Sequence, residues 1–314
     1  MKILEYDQVN PLMVLHLNLL SLCYALTPER VALIRCLDPR PFPFFALYAV
    51  DQDVVVGQVG VFRLPVATTE GAEDVGSVWA VSTHPAFGRH GIATELLDEA
   101  HARMRAAGLR FSTLETSRHR GAHVLYLRQG YVDVATLVSA LAERKTVLRD
   151  TDLSAERAAK PQFHLADSIF QKVAAGRLGF TRRHDGFMTM MVETGEVDED
   201  ELWLISRERE IVGYAVAKAS EGVLVVSDLL LVDGADAALA VAALTRESTA
   251  RYVRVIASTQ THVASLHRAG YELATPSWST FMIKPLITDI TVRDASRLMG
   301  IGTERFMFSQ LDTT

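Results

Sequence analysis

Only two cysteines, Cys23 and Cys36, occur among 314 residues, and both fall inside apolar, helix-like patterns. That scarcity excludes a disulfide-stapled scaffold and fits small buried residues in a reducing cytosol. Long hydrophobic runs are missing too. The most apolar early segment, residues 11–26 (PLMVLHLNLLSLCYAL), is too short for a bilayer span and carries His16 and Asn18. It follows a strand-like MKILEY with no basic leader or small-residue cleavage site, so it reads as a buried helix of a cytoplasmic protein rather than a signal peptide. Positive charge is in deficit, with 32 Lys and Arg against 38 Asp and Glu and a formal net charge of −6. Neither a nucleic acid nor a membrane is expected as a partner.

What remains is ordinary globular composition, 49% hydrophobic and 22% charged, in a chain long enough for two domains. Strand-like runs are expected at 2–6, 44–50, 54–64, 77–83, 111–115 and 131–141, and helices at 11–26, 28–37, 90–107 and 121–128. Thr27-Pro28 opens the second helix as an N-cap followed by proline, and Gly108 sits where a helix-ending glycine belongs. A polar run, DTDLSAERAAKPQ, reads as a linker. A second round follows it, with a helix at 166–175, strands at 202–206, 211–217 and 223–231, a helix at 235–251, and strands at 252–257 and 279–283. Val56-Gly57 and Val212-Gly213 occupy equivalent hairpin positions, and Arg128-Gln129-Gly130-Tyr131 and Arg268-Ala269-Gly270-Tyr271 close equivalent helices. The chain is therefore expected to be two copies of one α/β (α+β) unit, at 1–148 and 149–287, with a tail at 288–314.

The stretch HPAFGRHGIATELL, residues 84–97, joins a strand to a helix through a glycine-containing loop. Unpaired N–H groups and the macrodipole make such a helix start attractive to anions. It matches neither a Walker loop nor GxGxxG. Between His84 and Gly130, seven arginines face four acids, a local positive excess within an acidic chain.

Gly88-Arg89-His90-Gly91-Ile92-Ala93, preceded by His84-Pro85, resembles the Arg/Gln-x-x-Gly-x-Gly/Ala signature of the GCN5-related N-acetyltransferase (GNAT) family. Residues 119–131, HRGAHVLYLRQGY, resemble the family's second signature, Asn-x-x-Ala-x-x-Leu-Tyr-x-x-x-Gly-Phe. The resemblance covers residues 1–148 and implies two GNAT-like units, each a mostly antiparallel mixed sheet flanked by helices. It implies acetyl-CoA as acyl donor, bound at Gly88, Arg89, His90, Gly91, Ile92, Ala93 and Thr94, with the diphosphate on the backbone N–H groups of Arg89 to Thr94. The pantetheine arm would pair with Val81, Ser82 and Thr83. Gly88 replaces the signature Arg or Gln, with Arg89 beside it as a substitute, and His119 replaces the Asn.

The resemblance further implies an N-acetyltransferase acting on a small-molecule or peptide amine by direct attack on the thioester. Tyr126 stands at the family's general-acid position, and a backbone N–H of the 77–83 strand would serve as oxyanion donor. For the base, Glu115 is the best candidate by position, and His119 and His123 flank the same site. A water-relayed proton or an already neutral amine would need none. No metal is expected.

The second copy has Asp233 and Asp236 at its loop, and Leu266 at the counterpart of Tyr126. It reads as a degenerate copy that packs on the first or shapes the acceptor pocket. The acids Glu193, Glu196, Asp198, Glu199, Asp200 and Glu201 read as a solvated loop, with attraction of a cationic amine as the minor alternative. Met307-Phe308 predicts a docked tail, and homo-oligomerisation stays open. The rival to an enzyme is a non-catalytic acyl-CoA-binding or regulatory tandem module.

Overall fold

The computed structural model describes residues 1–21, 25–40, 45–147, 149–274 and 279–312. In its first half the elements are β1 (Lys2–Glu5), α1 (Pro11–Ser21), α2 (Pro28–Leu37), β2 (Phe45–Asp51), β3 (Val54–Thr68) and β4 (Gly71–Thr83). Then come α3 (Ile92–Ala106), β5 (Phe111–Ser117), α4 (Gly121–Arg128), β6 (Val132–Ala135), β7 (Val138–Glu143) and a single turn, α5 (Arg144–Val147). The second half continues with β8 (Leu153–Arg157), α6 (Phe163–Ala174), α7 (Phe187–Glu193), β9 (Leu202–Arg207), β10 (Glu210–Ser220) and β11 (Val223–Leu231). It ends with α8 (Ala237–Arg246), β12 (Tyr252–Ala257), α9 (Gln260–Arg268), β13 (Glu272–Leu273), β14 (Ser279–Pro285) and α10 (Val292–Leu298).

These strands form two seven-stranded mixed sheets, ordered β1-β2-β3-β4-β5-β14-β6 and β13-β7-β12-β11-β10-β9-β8. The α/β class and the two-fold repetition expected from the sequence are what the chain adopts. The sheets do not follow the 148/149 division, however. β7 crosses to pair antiparallel with β12 of the second sheet, and β14 returns to lie between β5 and β6 of the first. The run at 131–141, expected as one strand, breaks around Thr136-Leu137 because its two halves serve different sheets. The units thus exchange one strand each, and neither sheet is complete without residues from the other half of the chain.

A buried polar chain fastens β14 into the first sheet. Lys284 Nζ lies 3.0 Å from His101 Nδ1, and His101 Nε2 lies 2.9 Å from Tyr131 Oη. Tyr131 Oη lies 2.6 Å from Ser112 Oγ, which donates to the Gly76 carbonyl. Lysine can only donate, so His101 accepts at Nδ1, carries its proton on Nε2 and remains neutral. Burial, followed by the charges of Lys284 and Arg105, pushes its pKa down to about 3.

Helices cover both faces of each sheet, α3 and α1 on the first and α8 and α6 on the second, and part of one face of the first sheet meets the other unit. In the first, Ile92, Leu96, Leu97, Ala100 and Met104 of α3 pack on Val59, Val61, Val78 and Leu114. On the reverse face Phe62, Leu64, Phe111, Phe281 and Ile283 form a core with Leu137, Ile256 and Phe308, which joins the units. The tail is not loose: Met307 and Phe308 are buried, and α10 packs on β14.

Several local expectations differ. The 150–162 run read as a linker contains β8, an edge strand whose alternating Leu153 and Ala155 are buried. β4 starts at Gly71 rather than 77, because pairing with β3 recruits the polar GAEDVG segment. Cys36 is exposed rather than buried, and Cys23 lies outside the described residues. α1 is no fully buried helix either. It buries Val14, Leu17 and Asn18 while Leu12, Leu19 and Leu20 stay exposed.

Candidate active site

β4 ends at Thr83. His84 Nδ1 then accepts from the Ala86 N–H, and one 3-10 turn, Pro85–Phe87, leads into the loop. Arg89 (φ 65°) and Gly91 (φ 82°) take left-handed backbone conformations that swing the chain into α3, which is why a glycine serves at the N-cap. The first intrahelical bond runs from the Glu95 N–H to the Gly91 carbonyl, and no side chain caps the helix. The backbone N–H groups of Arg89, His90, Gly91, Ile92, Ala93 and Thr94 consequently have no acceptor among the described residues. Six free donors at the positive end of a fifteen-residue helix form a cradle for an anion.

Beside the cradle, the sheet splits. The β3–β4 register slips between Gln58↔Ser82 and Gly60↔Trp79, leaving Ala80 (φ 50°) and Val81 as a bulge. Parallel pairing of β4 with β5 is confined to Gly76↔Ser112 and Ser77↔Thr113. Past Ser77 the two strands diverge, and on the β5 side the edge of β4 from Val78 to Thr83 faces no strand among the described residues. Val81, Ser82 and Thr83 all lie on this open edge. Open-edge amides and carbonyls are what an amide-bearing chain would pair with.

Tyr126, on α4, packs in the core beneath α3 with its ring edge-on to Tyr131 at 5.9 Å. Its hydroxyl has no hydrogen-bond partner among the described residues, and burial pushes its pKa up to about 12. Glu115 lies on the opposite face of β5, the face that carries Phe111 toward the other unit. It accepts a hydrogen bond from Ser279 Oγ of β14. Burial raises its pKa, and that hydrogen bond partly offsets the rise. The gap between β4 and β5 separates the two residues.

The histidines fall elsewhere. His119 is exposed in the turn after β5, where its backbone N–H donates to Ser117 Oγ, and it does not line the cavity between the units. His123 Nε2 lies 3.0 Å from Asp133 Oδ1, which also accepts from Thr280 Oγ1. That cluster ties α4 to β6 and β14.

Between the units lies a cavity of about 790 Å³. Its floor comprises Phe62, Trp79, Glu115 and Ser279 of the first sheet, and its far wall includes Met190 and Arg254 of the second half. Trp79 stacks on Phe62 at 5.2 Å and lies over Gly60, where an added Cβ would sit 2.3 Å from the indole nitrogen. Asp38 pairs with Arg40 at 2.8 Å, and Arg30 reaches across to Glu196 at 2.7 Å. Trp79, Arg254 and Ser279 escaped the sequence reading because no motif links residues 79, 254 and 279. Only the strand exchange brings them together.

The acidic run is largely neutralised within the protein. Glu193 pairs with Lys160, Glu196 with Arg30, and Asp198 and Glu201 with Lys218. Of these acids only Glu196 borders the cavity.

The second unit repeats the geometry with its cradle filled. The Asp236 carboxylate caps α8 by accepting from the Ala238 and Leu239 N–H groups at 2.9 and 3.1 Å. Ser265 Oγ donates to the same carboxylate. Ser258 Oγ donates to the Leu229 carbonyl, bridging β11 to the segment after β12. Leu266, at the counterpart of Tyr126, is wholly buried. Next to that blocked cleft sits Arg183, fully enclosed, with Tyr214 Oη at 2.6 Å, Asp312 Oδ1 at 3.0 Å and the Phe170 ring at 4.1 Å. Asp312 belongs to the tail, which is thus locked down by an internal ion pair. Thr313 and Thr314 lie outside the described residues.

Residues 15–131 match the family model described as "Acetyltransferase (GNAT) family". Among curated proteins none matches the chain. Solved structures similar to it include a GCN5-related N-acetyltransferase from Kribbella flavida, with 18% identity and a TM-score of 0.66 over 94% of this chain and 73% of that one. A probable N-acyltransferase of unknown function from Enterococcus faecalis V583 aligns with 11% identity and a TM-score of 0.69, over 91% of this chain and 72% of that one. A GCN5-related N-acetyltransferase from Anabaena variabilis gives 13% identity and a TM-score of 0.66, over 91% and 73%. At such identities the likeness is one of fold, and it spans both units. Residues 15–131 are therefore a domain of the acetyltransferase (GNAT) family, and the second half of the chain repeats that fold.

Proposed function

We propose that the chain is an acetyl-CoA-dependent N-acetyltransferase with a single active centre, in the first unit, acting on a primary amine of a small molecule or peptide. The observation that carries this reading is the contrast between two equivalent helix starts. That of α3 offers six N–H groups with no acceptor among the described residues, whereas that of α8 is filled by its own Asp236. The residues fit the donor. The Arg89–Thr94 backbone would receive the diphosphate, the Val81–Thr83 edge would receive the pantetheine amides, and the inter-unit cavity would receive the acceptor.

Bound there, acetyl-CoA supplies an activated acetyl group and a thiol leaving group. Backbone N–H groups at the bulge of β4 would act as donors toward the acetyl carbonyl oxygen. Tyr126 keeps its proton throughout the neutral range and would deliver it to the departing thiolate from the helix-covered side of the gap. Glu115, on the cavity side, takes a proton from the acceptor amine in its ionised form, held in place by Ser279. His119, outside the cavity, has no part in that step. The chain is read as cytoplasmic, and among the described residues no helix is long and apolar enough to cross a membrane.

Thiol release from acetyl-CoA in the presence of an amine panel tests the reading. Turnover that falls about 10²-fold or more in Tyr126→Phe, with the cofactor still bound, is the expected result. Binding of acetyl-CoA without thiol release for any acceptor favours instead a non-catalytic acyl-CoA-binding module, a reading to which the missing Arg or Gln at Gly88 lends weight.

A further inference from the structure

The cavity between the units holds an unbalanced set of charges. Arg30 is matched by Glu196 and Arg40 by Asp38, each through a direct ion pair. Two lining arginines have no carboxylate among the described residues, Arg120 at the mouth and Arg254 inside. Arg254 lies on β12, on the face that also presents Ile256 to the junction of the two units. Its Nε donates to Ser139 Oγ at 2.9 Å, from a residue of the exchanged strand β7, and this fixes the direction of the side chain. Its two terminal nitrogens have no acceptor among the described residues. The remaining acid, Glu115, is held by Ser279 and makes no ion pair among the described residues.

A guanidinium cannot shed its charge, so placing it half-buried in a cavity without a counter-ion is unfavourable unless an anion arrives. Its planar fork suits the two oxygens of a carboxylate or phosphate. A carboxylate in the same cavity, without a cation of its own, suits an amine.

We propose that the acceptor is an amine that also carries an anionic group, a carboxylate or a phosphate, and that Arg254 receives this group while the amine lies toward Glu115. The proposal rests on the inter-unit cavity being the acceptor site. It gives the second unit a direct role, since that unit supplies the arginine and the first supplies the chemistry. It also assigns the strand exchange a purpose, because Ser139 reaches Arg254 only by crossing between sheets. Arg120, at the mouth, adds to the attraction for anions.

Product-like probes test the subsite without requiring turnover. N-acetyl-L-alanine, its carboxamide and N-acetyl-O-phosphoethanolamine are each titrated into the full chain by calorimetry, for the native sequence, Arg254→Gln and Arg254→Lys, with thermal melts to show that each variant folds. The native protein is expected to bind one of the two anionic probes at least tenfold more tightly than the neutral carboxamide, and which anion wins distinguishes carboxylate from phosphate. Arg254→Gln should erase that preference, and Arg254→Lys should retain part of it, since the charge survives without the fork. Equal binding of all three probes by the native protein, or a preference that persists in Arg254→Gln, overturns the proposal. Thiol release with amines, run in parallel, separates the two claims. An anion preference without any thiol release removes the transferase reading and leaves the subsite standing. Transfer to neutral or polycationic amines that Arg254→Gln does not change removes the subsite and leaves the transferase standing.

Discussion

Gly60 and Trp79 provide a test of the cavity floor that needs no substrate. A Cβ on residue 60 would sit 2.3 Å from the indole Nε1 and 2.5 Å from Cε2, far inside van der Waals contact. Gly60→Ala must therefore push the indole off its place, at the ~1–3 kcal/mol typical of overpacking and with loss of a stack worth ~0.5–1.5 kcal/mol. Trp79→Ala alone removes a large, partly buried ring and should cost about 3 kcal/mol. In the double variant the ring is gone and the new methyl finds open space. A strand also prefers alanine to glycine, by about 0.5–1 kcal/mol. The double variant is thus expected to be no less stable than Trp79→Ala, giving a coupling of roughly 1–3 kcal/mol or more in a cycle measured by urea unfolding. Additivity within about 0.5 kcal/mol would refute the placement of the indole over residue 60.

Two pH dependences of opposite sign follow from buried groups. His101 is neutral in the folded protein, with its pKa lowered to about 3. Its contribution is complete above the unfolded value near 6.5 and is lost on acidification, at up to about 1.4 kcal/mol per pH unit. His101→Gln, which keeps a donor and an acceptor, should flatten that acid limb, and unfolding curves between pH 6.5 and 4 would show it. Asp312 behaves conversely. Burial and the neighbouring Asp228 outweigh its ion pair with Arg183 and push its pKa up to about 6. Its contribution is therefore complete below about 4 and is lost as pH rises through 6. In Asp312→Asn the melting temperature should no longer decline between pH 5 and 7 on this account, and an unchanged decline would show that another group is responsible.

Part of this was legible in the sequence because it is local. The start of α3 is written in Gly88–Ala93, and α2 and the strand Val223–Leu231 fall where their patterns place them. Asp236 as an obstacle to an anion is likewise a short-range fact, and the structure supplies the atoms it occupies. What was hidden depends on pairing between distant segments. Nothing in the apolar residues of β7 or β14 says which sheet they join, since a strand's alternation fixes its faces but not its neighbours. The cavity wall at Arg254 and the clasp at Lys284 both follow from that exchange, so neither could be read from spacing. β8 was hidden for a different reason: an edge strand with polar alternation looks like a linker until β9 is beside it.

The claim that one unit binds acyl-CoA while its copy cannot is tested most directly by titrating the full chain with acetyl-CoA in a calorimeter. One molecule bound per chain is predicted, with affinity lowered roughly tenfold in Gly91→Val, which forces a branched side chain into a left-handed backbone position at a cost of ~1–2 kcal/mol. Two molecules per chain, or one whose binding ignores Gly91→Val, would contradict it.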